Sequence, residues 1–220
     1  QAGLVSKGAE LLGGDAEAEF TYRFANQSEH MWMQGQATTV SQIVDFRSMA
    51  VVERNGKIER RLTQIKAIDE FYPLYGKPKL RSGEEFSKVF VQTGDHPPAL
   101  MERLIADRLA LEIGDTFKLG TTTFILADII TLIPDGAGDG FGLGPRTLVM
   151  TKDLEKSGLI APGTLFSTKY RLKLPQDADL DTLAKLVEID LSRSGLRWRD
   201  AREAAPGIST FIERLGSFLT

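Results

Sequence analysis

Polar and apolar residues alternate through residues 17–24, which puts successive side chains on opposite faces and predicts a half-buried strand. Before it, Leu4, Val5, Ala9, Leu11 and Leu12 fall at helical spacing and run into Gly13-Gly14. After it, Ser28 is the natural N-cap of a short helix through Met31, Trp32 and Met33, stopped by Gly35. Residues 38–52 are β-rich and reach Asn55-Gly56, a pair suited to a two-residue hairpin loop, with the partner strand over 59–68. Residues 69–76 break the pattern, with Pro73 and Gly76 as punctuation, and 77–94 mix β and turn signals. Pro97-Pro98 predicts a helix opening over 99–109, with Leu100, Leu104 and Leu111 on or near one face.

Gly114-Asp115 turns the chain into a hairpin of 116–119 and 122–132 around Gly120. Strands follow at 146–150 and 163–174, with a short helix capped by Thr151 between them. Asp179 or Asp181 caps an amphipathic helix that turns Leu180, Leu183, Ala184, Val187 and Leu191 inward and ends by Gly195. Trp198 sits on a short strand, and residues 208–219 carry the broad apolar face of a last helix. Strand, helix and paired strands thus occur near both ends, with a β- and turn-rich block between. The fold class is α+β with an insertion.

Composition narrows the function classes. Hydrophobic content of 42% and charged content of 26% allow a buried core. A net charge of −3 offers no broad basic surface, so a nucleic-acid partner is not expected. The basic run from Arg54 to Arg61 is interleaved with Glu53 and Glu59 and reads as a solvated strand pair. With no Cys there is no disulfide framework or thiolate metal site, and His30 and His96 alone do not make a zinc site. His30 reads as a core-edge residue and His96 as a helix-entry residue. No run of about 20 apolar residues is present to span a bilayer. The first residue is Gln1, and both ends look cut through apolar helices, so the sequence is read as a fragment that continues into a membrane or a missing core.

Candidate chemistry is sparse. Gly136, Gly138, Gly140, Gly142 and Gly144 alternate, but a strand follows them where a phosphate loop needs a helix, so they predict a mobile loop. Asp135 and Asp139 flank that loop without the ligand spacing of a calcium site. Neither Gly-x-Ser-x-Gly nor Ser-x-x-Lys occurs. The expectation is no cofactor and no enzymatic activity. Phe71, Tyr72 and Tyr75, around Pro73, form an aromatic cluster that could bind a peptide but is read first as a staple buried between two subdomains.

Residues 67–76, Ala-Ile-Asp-Glu-Phe-Tyr-Pro-Leu-Tyr-Gly, resemble an element of FtsX-like permeases of the YbbP type. Residues 11–15, 109–115, 141–148 with Gly144-Pro145-Arg146, and 157–163 are similar to further elements of that family, in order. The resemblance covers nearly the whole chain. It implies the first extracytoplasmic domain of a MacB-type ABC transporter permease, at the periplasmic face of the bacterial inner membrane. Such a domain has a porter-like subdomain, here 1–76 and 146–220, interrupted by an inserted β-rich subdomain, here 77–145. It implies flanking membrane helices that enter side by side, bringing the two chain ends together, and a cytoplasmic ATPase whose work reaches the outer domain through them. It also implies a periplasmic lysophospholipase or thioesterase partner, or a lipid-like substrate. No catalytic residues carry over; Phe71, Tyr72, Tyr75 and Phe141 are candidate junction or partner contacts. The rival readings are a stand-alone hydrolase and a periplasmic ligand-binding or adaptor module with a defined apolar cleft.

Overall fold

One long hairpin organises the chain. Its first strand, β2 (Thr39–Arg54), is joined to β3 (Lys57–Ile68) through Asn55-Gly56, where Asn55 takes a left-handed φ of 51°. This is a computed structural model, and it describes residues 2–136 and 144–204. The predicted helix over 208–219, the outermost residue Gln1, and residues 137–143 of the predicted mobile loop lie outside the described residues.

β2 is shared between two sheets. Thr39–Phe46 pairs with β9 (Phe166–Lys173), which pairs with β1 (Ala16–Thr21), which pairs with β10 (Arg197–Asp200), all antiparallel. Farther along, Ala50 and Val51 pair with β6 (Thr116–Leu119). From there β6 pairs with β7 (Thr122–Leu132), β7 with β5 (Pro98–Glu102), β5 with β8 (Arg146–Met150), β8 with β3, and β3 with β2. The six strands close on themselves as a mixed barrel, with the two-residue β4 (Lys79–Leu80) added at the edge of β7.

Each sheet has its own core. Phe46, Ala50, Val52, Ile65, Ala99, Met101, Phe117, Phe124, Leu126 and Val149 fill the barrel, together with Ile105 and Leu109 around α4 (Arg103–Arg108). Ala16, Ala18 and Phe20 of β1 and Tyr170 and Leu172 of β9 pack against Met33 of α2 (Gln27–Gln36) and Leu183 of α5 (Leu180–Asp190). The alternation in β1 therefore sends Ala16, Ala18 and Phe20 to these helices and Glu17 and Glu19 to the other face.

Several expectations need correction. The first strand stops at Thr21, because Tyr22 adopts φ 59° and Arg23 turns back to Glu29, donating from Nη1 and Nη2 at 2.7 and 2.8 Å. The helix after it is capped by Asn26, not Ser28, in a reciprocal box: Asn26 Oδ1 accepts from Glu29 N at 2.9 Å, and Glu29 Oε2 accepts from Asn26 N at 2.8 Å. Gly35 lies inside this helix. Asn26→Ala is expected to cost about 1 kcal/mol in a denaturant titration, the usual worth of an N-cap; an unchanged midpoint would show the box to be redundant. The predicted helix over 99–109 is β5 followed by the short α4, and His96 precedes a strand. β5 is flanked by β7 and β8 and buries Pro98, Ala99, Leu100 and Met101, and a strand covered on both faces loses its alternation.

Candidate functional site

The face of the four-stranded sheet that turns away from α2 and α5 carries charge. Register places Glu17 of β1 between Arg199 of β10 and Arg171 of β9. Arg171 Nε donates to Glu17 Oε2 at 3.0 Å and Arg199 Nη2 to Glu17 Oε1 at 2.5 Å. Arg171 also pairs through Nη1 with Asp135, just beyond β7. The same carboxylate accepts from Lys66 Nζ of β3 at 2.6 Å and from the Tyr72 hydroxyl at 2.6 Å, while Lys66 Nζ lies 5.4 Å from the Tyr72 ring centroid. Glu17, Lys66, Asp135 and Arg171 are each at most 1% exposed. Asp135 is thus held by a cation from the barrel and a cation from the four-stranded sheet. The cluster is the polar seam between the two bodies.

Burial by itself would raise the Asp135 carboxyl, but the Lys66 and Arg171 charges, with the hydrogen bonds from Lys66 and Tyr72, outweigh it and hold the group well below the usual carboxylate range. Burial likewise pushes Glu17 up, and Arg171, Lys169 and Arg199 together pull it below its ordinary value. Both acids are therefore ionised at neutral pH and committed to cations, and neither is poised to take a proton. Asp135 is correspondingly engaged as an ion-pair partner. Among the described residues no group of three or more His, Cys, Asp or Glu side chains is placed to hold a metal ion.

Of the elements singled out in the sequence, residues 11–15, residues 67–76 and Arg146 lie at or beside this seam. Gly13 follows α1 (Ala2–Leu12) at φ 80°, and a Cβ there would lie 2.5 Å from Arg171 Nη1, so the turn both needs the left-handed conformation and leaves room for the guanidinium. Asp15 accepts from the Tyr75 hydroxyl at 2.8 Å and from Leu174 N at 2.8 Å. Burial, then the bond to Asp15, push the Tyr75 phenol up. Arg146 Nη2 donates to Gly136 O at 2.9 Å, so the two described ends of the glycine-rich segment are tied together.

Of the four candidate contacts, Tyr72 is buried and Tyr75 half-buried. Phe71 is 51% exposed, against the expectation of burial, because the chain turns at Asp69, whose Oδ1 accepts from Phe71 N at 3.1 Å, and sends that ring outward. Phe141 lies outside the described residues. His30 is half-buried and meets Tyr170 edge-on at 5.3 Å. Glu17, Lys66 and Arg171 were not found by sequence reasoning. Their signal is a charged residue inside a stretch that is otherwise buried, as Lys66 is between Ile65 and Ala67.

The first helix and the last described one, α6 (Ala201–Ala204), lie against each other. A Cβ on Gly8 would fall 1.8 Å from Ala201 O, and backbone cannot rotate aside as a side chain can. Gly8→Ala is expected to lift α1 from α6 while both cores stay folded. Faster amide exchange confined to residues 2–12 and 201–204 would report this; unchanged protection there would contradict it.

No family model matches the chain. Over its whole length it is 24% identical to the Escherichia coli K12 protein YbbP, an uncharacterized ABC transporter permease, of which it spans 26%. The periplasmic region of MacB from Actinobacillus actinomycetemcomitans superposes with a TM-score of 0.58 at 12% identity, covering 95% of this chain and 97% of that one. The chain is thus distantly similar to YbbP along its whole length and has the MacB periplasmic fold. The extracellular domain of YknZ, a noncanonic ABC-type transporter from Gram-positive bacteria, shares this MacB-type fold with a TM-score of 0.53 at 12% identity, over 84% of this chain and 100% of that one. A domain of a putative permease from Porphyromonas gingivalis matches at 0.50 and 9% identity, over 84% and 89%.

Proposed function

We propose that the chain is the extracytoplasmic domain of an ABC transporter permease, at the periplasmic face of the inner membrane, and that it works as a moving or docking part and not as an enzyme. The observation that carries this reading is the full-length relationship to a permease of which the chain is about a quarter. The packing of α1 on α6, the last described element, supports it, since a domain set between two membrane helices needs its entry and exit segments side by side. In this reading a cytoplasmic ATPase moves the membrane helices, and the displacement enters through α1 and reaches Arg171 beside Gly13. Residues 77–145 are read as the inserted subdomain, supplying β4 to β7, and residues 1–76 and 146–220 as the porter-like part, supplying all of the β10-β1-β9-β2 sheet. A lysophospholipase or thioesterase, or a lipid-like substrate, is the partner class that the YbbP resemblance suggests.

The test uses the complete permease with its ATPase in membranes. Spin labels at Glu112 in the barrel part and Glu188 on α5 of one subunit, with a reference label on the cytoplasmic side, should report different distances in ATP and ADP. Distances that do not respond to nucleotide would sink the moving-part reading. Ester or thioester turnover by the purified chain, lost on replacing one side chain, would sink the non-enzyme reading.

A further inference from the structure

Beside the seam, an open groove of about 680 Å³ runs between the segment around residues 68–78 and the segment 83–91. Its floor is apolar. Ile68, Tyr72 and Met150 line it, and the short helix α3 (Phe86–Val89) adds Phe86 and, just past its end, Phe90. The Phe86 ring meets Tyr72 at 5.9 Å and Phe90 at 5.2 Å, so the aromatic floor is already packed. Val91 on the rim is 64% exposed. Phe71, between two lining residues, is 51% exposed.

The rim is acidic. Asp69, Glu70, Glu84 and Glu85 line it, with Lys77 the single lining cation among the described residues. Asp69 is occupied, accepting from Ser41 Oγ at 2.7 Å and Gln42 N at 2.6 Å, and Glu85 pairs with Lys88 at 3.1 Å. Glu70 and Glu84 are exposed carboxylates with no ion pair among the described residues.

From this arrangement we infer that the groove docks a basic, amphipathic peptide segment of a protein partner, whose apolar side chains rest on the Tyr72–Phe86–Phe90 floor and whose Lys or Arg residues meet Glu70 and Glu84. Carboxylates on both walls repel anionic ligands and an anionic membrane surface, and attract cations. A small-molecule site encloses most of its ligand, whereas this groove is open along its length, as peptide grooves are.

The probe is a fluorescein-labelled peptide of alternating Lys and Leu, followed by anisotropy against the 220-residue chain. Two twins accompany it, one with Glu for Lys and one with Ser for Leu. The Lys/Leu peptide should bind, and each twin should bind at least about tenfold more weakly, a difference of about 1.4 kcal/mol. Glu70→Lys with Glu84→Lys should weaken binding by a similar factor. The same charge change at Glu112 and Glu188, both exposed and away from the groove, should leave it within about twofold. Val91→Ser should weaken binding without altering the thermal midpoint. Absence of binding at millimolar concentration, equal loss in the control pair, or equal affinity of the Ser twin would overturn the inference. So would concentration-dependent dimerisation abolished by Val91→Ser, which would give the groove to a second copy of the chain.

Discussion

Replacing Asp135 by alanine is expected to cost about 3–5 kcal/mol of folding stability, the range seen when one partner of a buried ion pair is removed. The carboxylate is buried with Lys66, Tyr72 and Arg171 on it, and its loss leaves two cations under-compensated in a dry seam. The pair as a whole need not add net stability, because taking these charges out of water is costly. Its contribution is position: one carboxylate fixes the barrel to the four-stranded sheet. The pH dependence carries the same signature. The folded pKa values of Asp135 and Glu17 lie below their unfolded values of about 3.9 and 4.3, so their stabilisation is complete above that range and is lost as pH falls toward the folded values. Urea midpoints should therefore drop below about pH 4 in the natural chain and drop less steeply in Asp135→Ala. A variant within about 0.5 kcal/mol of the natural chain, or with the same acid slope, would mean that the seam is held by other contacts.

Tyr72→Ala is expected to be about as damaging, at about 3–5 kcal/mol, from the loss of a nearly enclosed ring. The ring is 8% exposed and packs on Phe86, and its hydroxyl donates to Asp135. Tyr72→Phe separates the two parts. It keeps the ring and removes one hydrogen bond to an ionised group, so it should cost about 1.5–3 kcal/mol. The double variant with Asp135→Ala should then lose less than the sum, since the two residues share one interaction. Strict additivity, read from denaturation midpoints, would place the hydroxyl outside the cluster.

The local elements were legible because they carry local signals. The Asn55-Gly56 hairpin, the β6–β7 hairpin around Gly120 and the Asp179-capped α5 each rest on a turn or cap chemistry that the sequence displays. The MacB-type α+β architecture was reachable through the order of several short elements. What stayed hidden is non-local. Closure of the barrel depends on Ala50 and Val51 meeting β6, more than 60 residues on, and nothing in either segment announces the other. The seam was half seen: Tyr72 and Tyr75 stood out as aromatics, while Lys66, Arg171 and Glu17 were not singled out, because one charge within a strand does not show that its partners lie on other strands. Asp135 was noticed for its glycine neighbours and weighed as a calcium ligand, when its partners are cations from two different sheets.

The strand shared by both bodies sets a rule for how such a chain can vary. β2 runs unbroken from its pairing with β9 to its pairing with β6, so the barrel and the four-stranded sheet have no loop between them there. Side chains alternate along it, and one added residue between Phe46 and Ala50 would turn every later position inside out, exposing Ala50 and Val52 and burying Met49 and Val51. Length changes in that stretch are tolerable only in twos, or when a bulge absorbs the odd residue. The same continuity means that the two bodies cannot swing on a flexible joint at this point: any relative motion has to twist a ladder of backbone hydrogen bonds, as torque passes along a shaft.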